Sequence, residues 1–320
     1  MPKFLLSCIV FISSHAYSQG SYKPPQLYKV NDSMALQYPK PKAFNFILQV
    51  PKDFVQMHVV LQNKKSVKPL LITIAATGVL LLTDTKIADG VRSGAAKLNI
   101  EPKEKNVNLW VANIAGRPTT LLKAPGNINT AFYQLGQGFP GLLLSAGLFT
   151  YGKIKNDYRS RSVASQITET FLLTGLYTQI LKRITGREVP SRATVKGGKW
   201  QPFPSFKNYR DNTPKYDAFP SGHLTTLMST VSVLALNYPN SKLIKPIGYS
   251  LVGLVGLSMI NNEVHWASDY PLAIGIGYLC AKQVANVNRK LVTNNKSALR
   301  VTPTFTVINN RIVPSILYNF

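Results

Sequence analysis

The sequence predicts an all-α domain, a bundle of about six core helices closed by a small C-terminal β-hairpin. Six apolar, nearly charge-free segments carry the helical part: residues 69–83, 137–152, 163–185, 222–238, 243–261 and 269–288. Their length suits helices better than strands. The tail "VTPTFTVINNRIVPSILYNF" instead alternates, and Asn309-Asn310 fits a tight hairpin turn. Residues 66–290 are therefore expected to form the helical domain and 291–320 the tail.

The first residues, "MPKFLLSCIVFISSHAYSQG", combine a basic start, a short apolar run and a small-x-small site at Ala16-Tyr17-Ser18. That is the pattern of a secretory signal peptide over 1–18. It implies export across an inner membrane to the periplasm or cell envelope. Cys8 leaves with such a signal, so Cys280 stands alone and no internal disulfide is expected. Residues 19–65 are polar, basic and proline-containing, and are expected to form an extended arm with at most one short helix.

"LLITIAATGVLLL" and "PGLLLSAGLF" are apolar all round, so each is either deeply buried or in lipid. A spanning helix needs about 20 apolar residues. These segments are shorter, or carry Gln166, Glu169 and Gln179, which favours a water-soluble bundle resting against a membrane. Lys and Arg total 37 against 13 Asp and Glu, a formal charge of +24. Such a surface attracts anions. The expected partner is a phosphate ester, with phospholipids one such class; no nucleic acid partner is expected.

Helix punctuation is clear in the middle of the chain. "LKRITGREVP" ends a helix with basic residues, then Gly186, then Pro190. Ser221 is an N-cap residue directly after Pro220. Between them, 187–219 is a long loop with Trp200, Phe203, Phe206 and Tyr209. Loops of that length in a compact domain are usually functional.

Lys182, His223, His265 and Asp269 all fall at helix ends. A helix N-terminus offers free N–H groups and partial positive charge, and Gly222 leaves room for close approach. His223 could then act as general acid and His265 as a nucleophile on phosphorus. Asp269, four residues on, could fix the tautomer of His265. Lys182 would supply a point charge to the phosphoryl oxygens. A zinc site needs about three protein ligands or more, and neither a third ligand nor an HExxH pattern is present. No metal or other cofactor is expected.

"FPSGH" followed by "SMINNEVHWASD" resembles the type 2 phosphatidic acid phosphatase (PAP2) and vanadium haloperoxidase superfamily. That family carries K-x6-R-P, P-S-G-H and S-R-x5-H-x3-D in this order. The second motif is complete at Pro220 to His223. The third matches at Ser258, His265 and Asp269, and the first at Lys182 and Pro190. The resemblance covers about 66–290 and implies catalytic His265, His223 and Asp269, with Lys182, Ser221 and Gly222 holding the phosphate. Both motif arginines are replaced, by Val189 and Met259. Arg187 is the expected substitute in the phosphate clamp, with Arg192 the alternative. Three activities follow from the resemblance: a metal-independent phosphatase working through phosphohistidine, a degenerate member that binds phosphate, lipid or a partner without turnover, and a vanadate-dependent haloperoxidase.

Overall fold

The computed structural model describes residues 24–62, 64–114, 116–293, 300–308 and 311–319. The signal-peptide segment and the Asn309-Asn310 turn lie outside these residues. The chain opens with strands β1 (Gln26–Asn31) and β2 (Met34–Tyr38), then helices α1 (Asn45–Leu48), α2 (Val50–Gln62) and α3 (Lys64–Lys97). A ribbon of β3 (Asn106–Ile114) and β4 (Arg117–Pro125) follows, then α4 (Ile128–Leu135), α5 (Gly138–Ile154) and α6 (Tyr158–Thr185). After the long loop and its short helix α7 (Phe206–Asp211) come α8 (Gly222–Asn237), α9 (Ile244–Asn261) and α10 (Tyr270–Asn288). The chain ends with β5 (Lys290–Thr293), β6 (Arg300–Ile308) and β7 (Arg311–Asn319).

Each of the six expected segments is a helix, and α3, α5, α6, α8, α9 and α10 are the bundle. Helix α8 lies at its centre. Leu224, Met228 and Val231 of α8 pack with Val252, Val255 and Met259 of α9. Farther along, Val233 packs with Val163 and Ile167 of α6 and Ala281 of α10. Small residues bring α8 and α10 together. A Cβ on Gly277 would stand 2.6 Å from the Thr225 carbonyl oxygen.

The amino-terminal arm differs from the extended segment expected. β1 and β2 form an antiparallel hairpin, and β2 also pairs with β5, with Leu36 opposite Leu291. Polar anchors hold this sheet to the bundle. The Tyr38 hydroxyl donates to Asn237 Oδ1 at 2.7 Å, at the C-terminal end of α8. Arg159 lies over the rings of both Tyr28 and Tyr238. The β3–β4 ribbon is a second addition to the all-helical plan, whereas β6 and β7 pair as the expected C-terminal hairpin, with Ile308 opposite Arg311.

Helix α3 runs well past the apolar segment expected at its start. At 1.5 Å per residue it is about 50 Å long. Its outer surface is apolar, with Ile72, Val79 and Leu82 exposed. Both α3, over Val67–Lys97, and α9 are long and apolar enough to cross a membrane. Phe139 and Leu143 on α5, and Leu172 and Leu176 on α6, are exposed as well.

The α8–α10 contact yields one expectation. Gly277→Ala forces a methyl group against the backbone of α8 and should destabilise the fold by about 1–3 kcal/mol. Thermal melting of the purified variant beside wild type measures this.

Candidate active site

The site forms where the C-terminal end of α6, the N-terminal end of α8 and the turn before α10 meet. Each terminus has a local cause. Helix α6 ends at Gly186 in the left-handed region (φ 56°), where a Cβ would also collide with the Gln201 carbonyl oxygen. Helix α8 begins after Ser221, whose Oγ accepts from Leu224 N. The backbone N–H of Ser221 donates to the Asp269 carbonyl at 3.2 Å, joining the start of α8 directly to the turn before α10.

His265 and Asp269 are both buried, and His265 Nδ1 lies 3.3 Å from Asp269 Oδ2. The same oxygen accepts from Trp266 N at 2.8 Å. A proton on Nδ1 shared with the carboxylate leaves Nε2 as the unprotonated ring nitrogen. The His223 ring stands 6.1 Å from the His265 ring, centre to centre, and packs against Tyr133 on its other side. Burial pushes the His223 imidazole down to about 3. The nearby His265 and Lys182 act in the same direction, and Asp217 opposes them. An arriving anion reverses this repulsion and favours the protonated ring.

Lys182 is buried, and its Nζ lies 2.6 Å from Asp217 Oδ2. Asp217 is held in turn by the Tyr209 hydroxyl. Burial and then the Asp217 charge push the Tyr209 phenol up, so it remains the donor. A Cβ on Gly222 would meet only Lys182 Nζ, at 3.9 Å. The absent side chain therefore leaves a space bounded by Lys182 and the open end of α8, where the N–H groups of Gly222 and His223 have no intrahelical acceptor. Lys182 thus lies beside Gly222, and His223 beside His265.

Two of the sequence-level site assignments change. Ser221 is fully buried, and its hydroxyl is occupied by the helix cap and by Met259 Sδ at 3.6 Å. Its side chain shapes the helix end and does not face the open space. Arg187 is a clearer correction, for it is not a free phosphate clamp. The side chain is fully buried and every guanidinium N–H is used. Nη1 donates to Asp269 Oδ1 and Ser268 Oγ, both at 2.6 Å. Nη2 donates to Asp84 Oδ2 and the Gly197 carbonyl, both at 2.7 Å, and Nε also donates to Gly197. It lies past Gly186 and bonds Asp269 Oδ1, the oxygen other than the one beside His265 Nδ1.

Neither replaced arginine position has a polar substitute. Val189 packs with Ala218, Trp266 and Ala193, and Met259 is fully buried against α8. Arg192, the alternative clamp, follows in a 3-10 turn, Pro190–Arg192. The loop aromatics divide. Trp200 packs on Phe219 and Tyr209 is buried, while Phe203 and Phe206 are exposed. Glu188 pins the loop by accepting from Thr194 N and Lys199 N. Burial would raise its carboxyl, but these bonds outweigh it and hold the group below the usual range.

Asp217, Tyr209, Asp84 and Ser268 were not foreseen as site residues. Asp217 carried a faint signal, an acid three residues before Pro220 in a chain poor in acids. Among the described residues no cluster of His, Cys, Asp or Glu is arranged to hold a metal ion.

Residues 164–292 match the family model of the PAP2 superfamily, a range that includes every position of the three motifs. Helix α3 and Asp84 lie outside the matched range. Within known proteins, the chain is 31% identical over 86 residues to Lipid A 1-phosphatase of Porphyromonas gingivalis, a match spanning 27% of this chain and 18% of that protein. Among solved structures, it is similar to a transmembrane PAP2-type phosphatidylglycerolphosphate phosphatase from Bacillus subtilis. There the identity is 15% and the TM-score 0.34, covering 75% of this chain and 94% of the other.

The open space beside Gly222 can be tested without turnover. Gly222→Ala meets no backbone and should leave the melting temperature unchanged. It should weaken inorganic phosphate binding about tenfold by filling the approach to the helix end. Isothermal titration of wild type and variant gives the comparison.

Proposed function

We propose that this protein is a membrane-associated, metal-independent phosphatase of lipid phosphate monoesters that works through a phosphohistidine. One observation carries the reading: the Nδ1 side of His265 is committed to Asp269, while its ring faces His223 across the open end of α8. Helices α3 and α9 are suited to seat the protein in a bilayer. The lipid A phosphatase similarity agrees with a lipid phosphate as the substrate class.

The steps follow from these positions. His265 Nε2 attacks phosphorus, the N–P bond forms and the P–O bond to the lipid breaks. His223 gives its proton to the departing alkoxide oxygen. Asp269 offsets the positive charge that develops on the His265 ring. Lys182 and the N–H groups at the start of α8 face the phosphoryl oxygens. A water molecule then loses a proton to His223 and cleaves the N–P bond, releasing phosphate and restoring both rings.

A second reading rests on Val189 and Met259. Loss of one strong transition-state donor costs about 10²–10³ in rate. A site lacking two could bind phosphate or lipid without turning it over.

Phosphate release separates the readings. Active protein should liberate phosphate from an aryl or lipid phosphate, tolerate EDTA and lose turnover on His265→Ala. Binding without release by wild type would establish the second reading. The acid role makes a sharper expectation. His223→Ala should slow an alkyl phosphate by about 10²–10⁴, and a phosphate with an acidic phenol leaving group much less. Comparing kcat for the two substrates measures the difference.

A further inference from the structure

Asp84 lies on α3, far from the motifs in sequence, yet it is buried directly behind the nucleophile. Its Oδ2 accepts from Arg187 Nη2 at 2.7 Å and from the Ser268 hydroxyl, and its Oδ1 accepts from Ser268 N at 2.9 Å. Arg187 bonds Asp269 Oδ1 at 2.6 Å on its other side. Asp84 and Asp269 thus share one guanidinium, and all three side chains are excluded from solvent.

This arrangement has an electrostatic consequence. A buried arginine bonded to Asp269 alone would cancel the carboxylate charge that His265 depends on. With Asp84 on its far side, Arg187 is shared, and the cluster keeps one net negative charge on the side facing His265. His223 on α8 faces His265, Lys182 on α6 and Asp217 in the loop act on His223, and the Tyr270 phenol lies within reach of the Asp269 and Asp84 charges. Lys182 and Asp217 are paired with each other. The Asp84–Arg187–Asp269 cluster therefore sets the local charge behind the nucleophile.

We propose that Asp84 is a positioning residue for the phosphatase reaction. By taking half of the Arg187 charge, it keeps Asp269 able to hold the His265 proton on Nδ1 and leave Nε2 free. The proposal rests on the phosphatase reading for its kinetic effect, but the tautomer of His265 is observable without turnover.

The experiment compares wild type, Asp84→Asn and the charge-balanced double variant Asp84→Asn/Arg187→Gln in the full chain. Thermal melting reports folding, and nitrogen-15 NMR of the histidine rings reports which His265 nitrogen carries the proton. Steady-state kinetics use an aryl phosphate. Asp84→Asn should lower kcat about tenfold or more with KM changed less than about twofold, and shift the His265 proton away from Nδ1. The double variant removes both opposing charges and should restore the Nδ1 proton and part of kcat.

A folded Asp84→Asn protein with the wild-type tautomer overturns the proposal. So does a double variant whose His265 tautomer is no closer to wild type than that of Asp84→Asn, since that outcome makes Asp84 a structural tie only. Should Asp84→Asn not fold, the double variant against wild type decides: loss of the Nδ1 proton overturns the idea. Wild type without turnover sinks the phosphatase reading and leaves the tautomer comparison to judge Asp84.

Discussion

A buried guanidinium governs the layout of this site. Arg187 has no solvent, so it must find an acceptor for every N–H within the fold. It finds them on three separate pieces of chain: α3 through Asp84, the loop through Gly197, and the turn before α10 through Ser268 and Asp269. Removing one partner from such a cluster typically costs about 3–5 kcal/mol. That penalty fixes α3 against the catalytic turn and fixes the loop over both. Replacement by apolar side chains of similar size would satisfy stability alone, so the cluster contributes orientation rather than net folding energy.

Much of this was legible in the sequence where the signal was local. The boundaries of α5, α6, α8, α9 and α10 follow from apolar runs ending in residues with specific helix-end chemistry, such as Gly186 and Ser221. His223, His265, Asp269 and Lys182 were singled out because each sits at such an end and because together they resemble the family's motifs. Long-range pairing carried no comparable mark. Nothing around Asp84 on α3 distinguishes it from a solvated helix acid until the fold brings it beneath Arg187. Arg187 was expected to reach phosphate, but its partners Asp84 and Asp269 are 103 and 82 residues away in sequence and carry no local mark of that pairing. The β1–β2–β5 sheet was missed for a related reason: its strands are short, and β2 meets β5 only across most of the length of the chain.

The two replaced arginines are best understood together with packing. Met259 Sδ meets the Ser221 hydroxyl beneath the start of α8, and Val189 packs under Trp266, whose Nε1 donates to the Glu188 carbonyl at 2.9 Å. Both positions support the backbone around the site with apolar contact. The helix end and the catalytic turn stay in place, while forked donors to phosphate are lost. In the proposed phosphatase reading, positioning of the nucleophile and stabilisation of the phosphoryl oxygens are separable, and the packing at Val189 and Met259 bears on the second.

Charge then bears on which activity the site suits. Its buried cations are already matched: Lys182 by Asp217, and Arg187 by Asp84 and Asp269. The overall +24 charge draws anions towards the molecule, but it is not concentrated as free cations at the reacting centre. A protein built only to hold phosphate gains affinity from unpaired arginines and lysines, and this site has committed its own elsewhere. What it presents instead is a histidine with one nitrogen bonded to Asp269, a second histidine across from it and the free N–H groups of Gly222 and His223 at the start of α8. In the proposed reaction those groups strengthen their interaction as charge moves during P–O cleavage, which is the condition for catalysis rather than for tight ground-state binding.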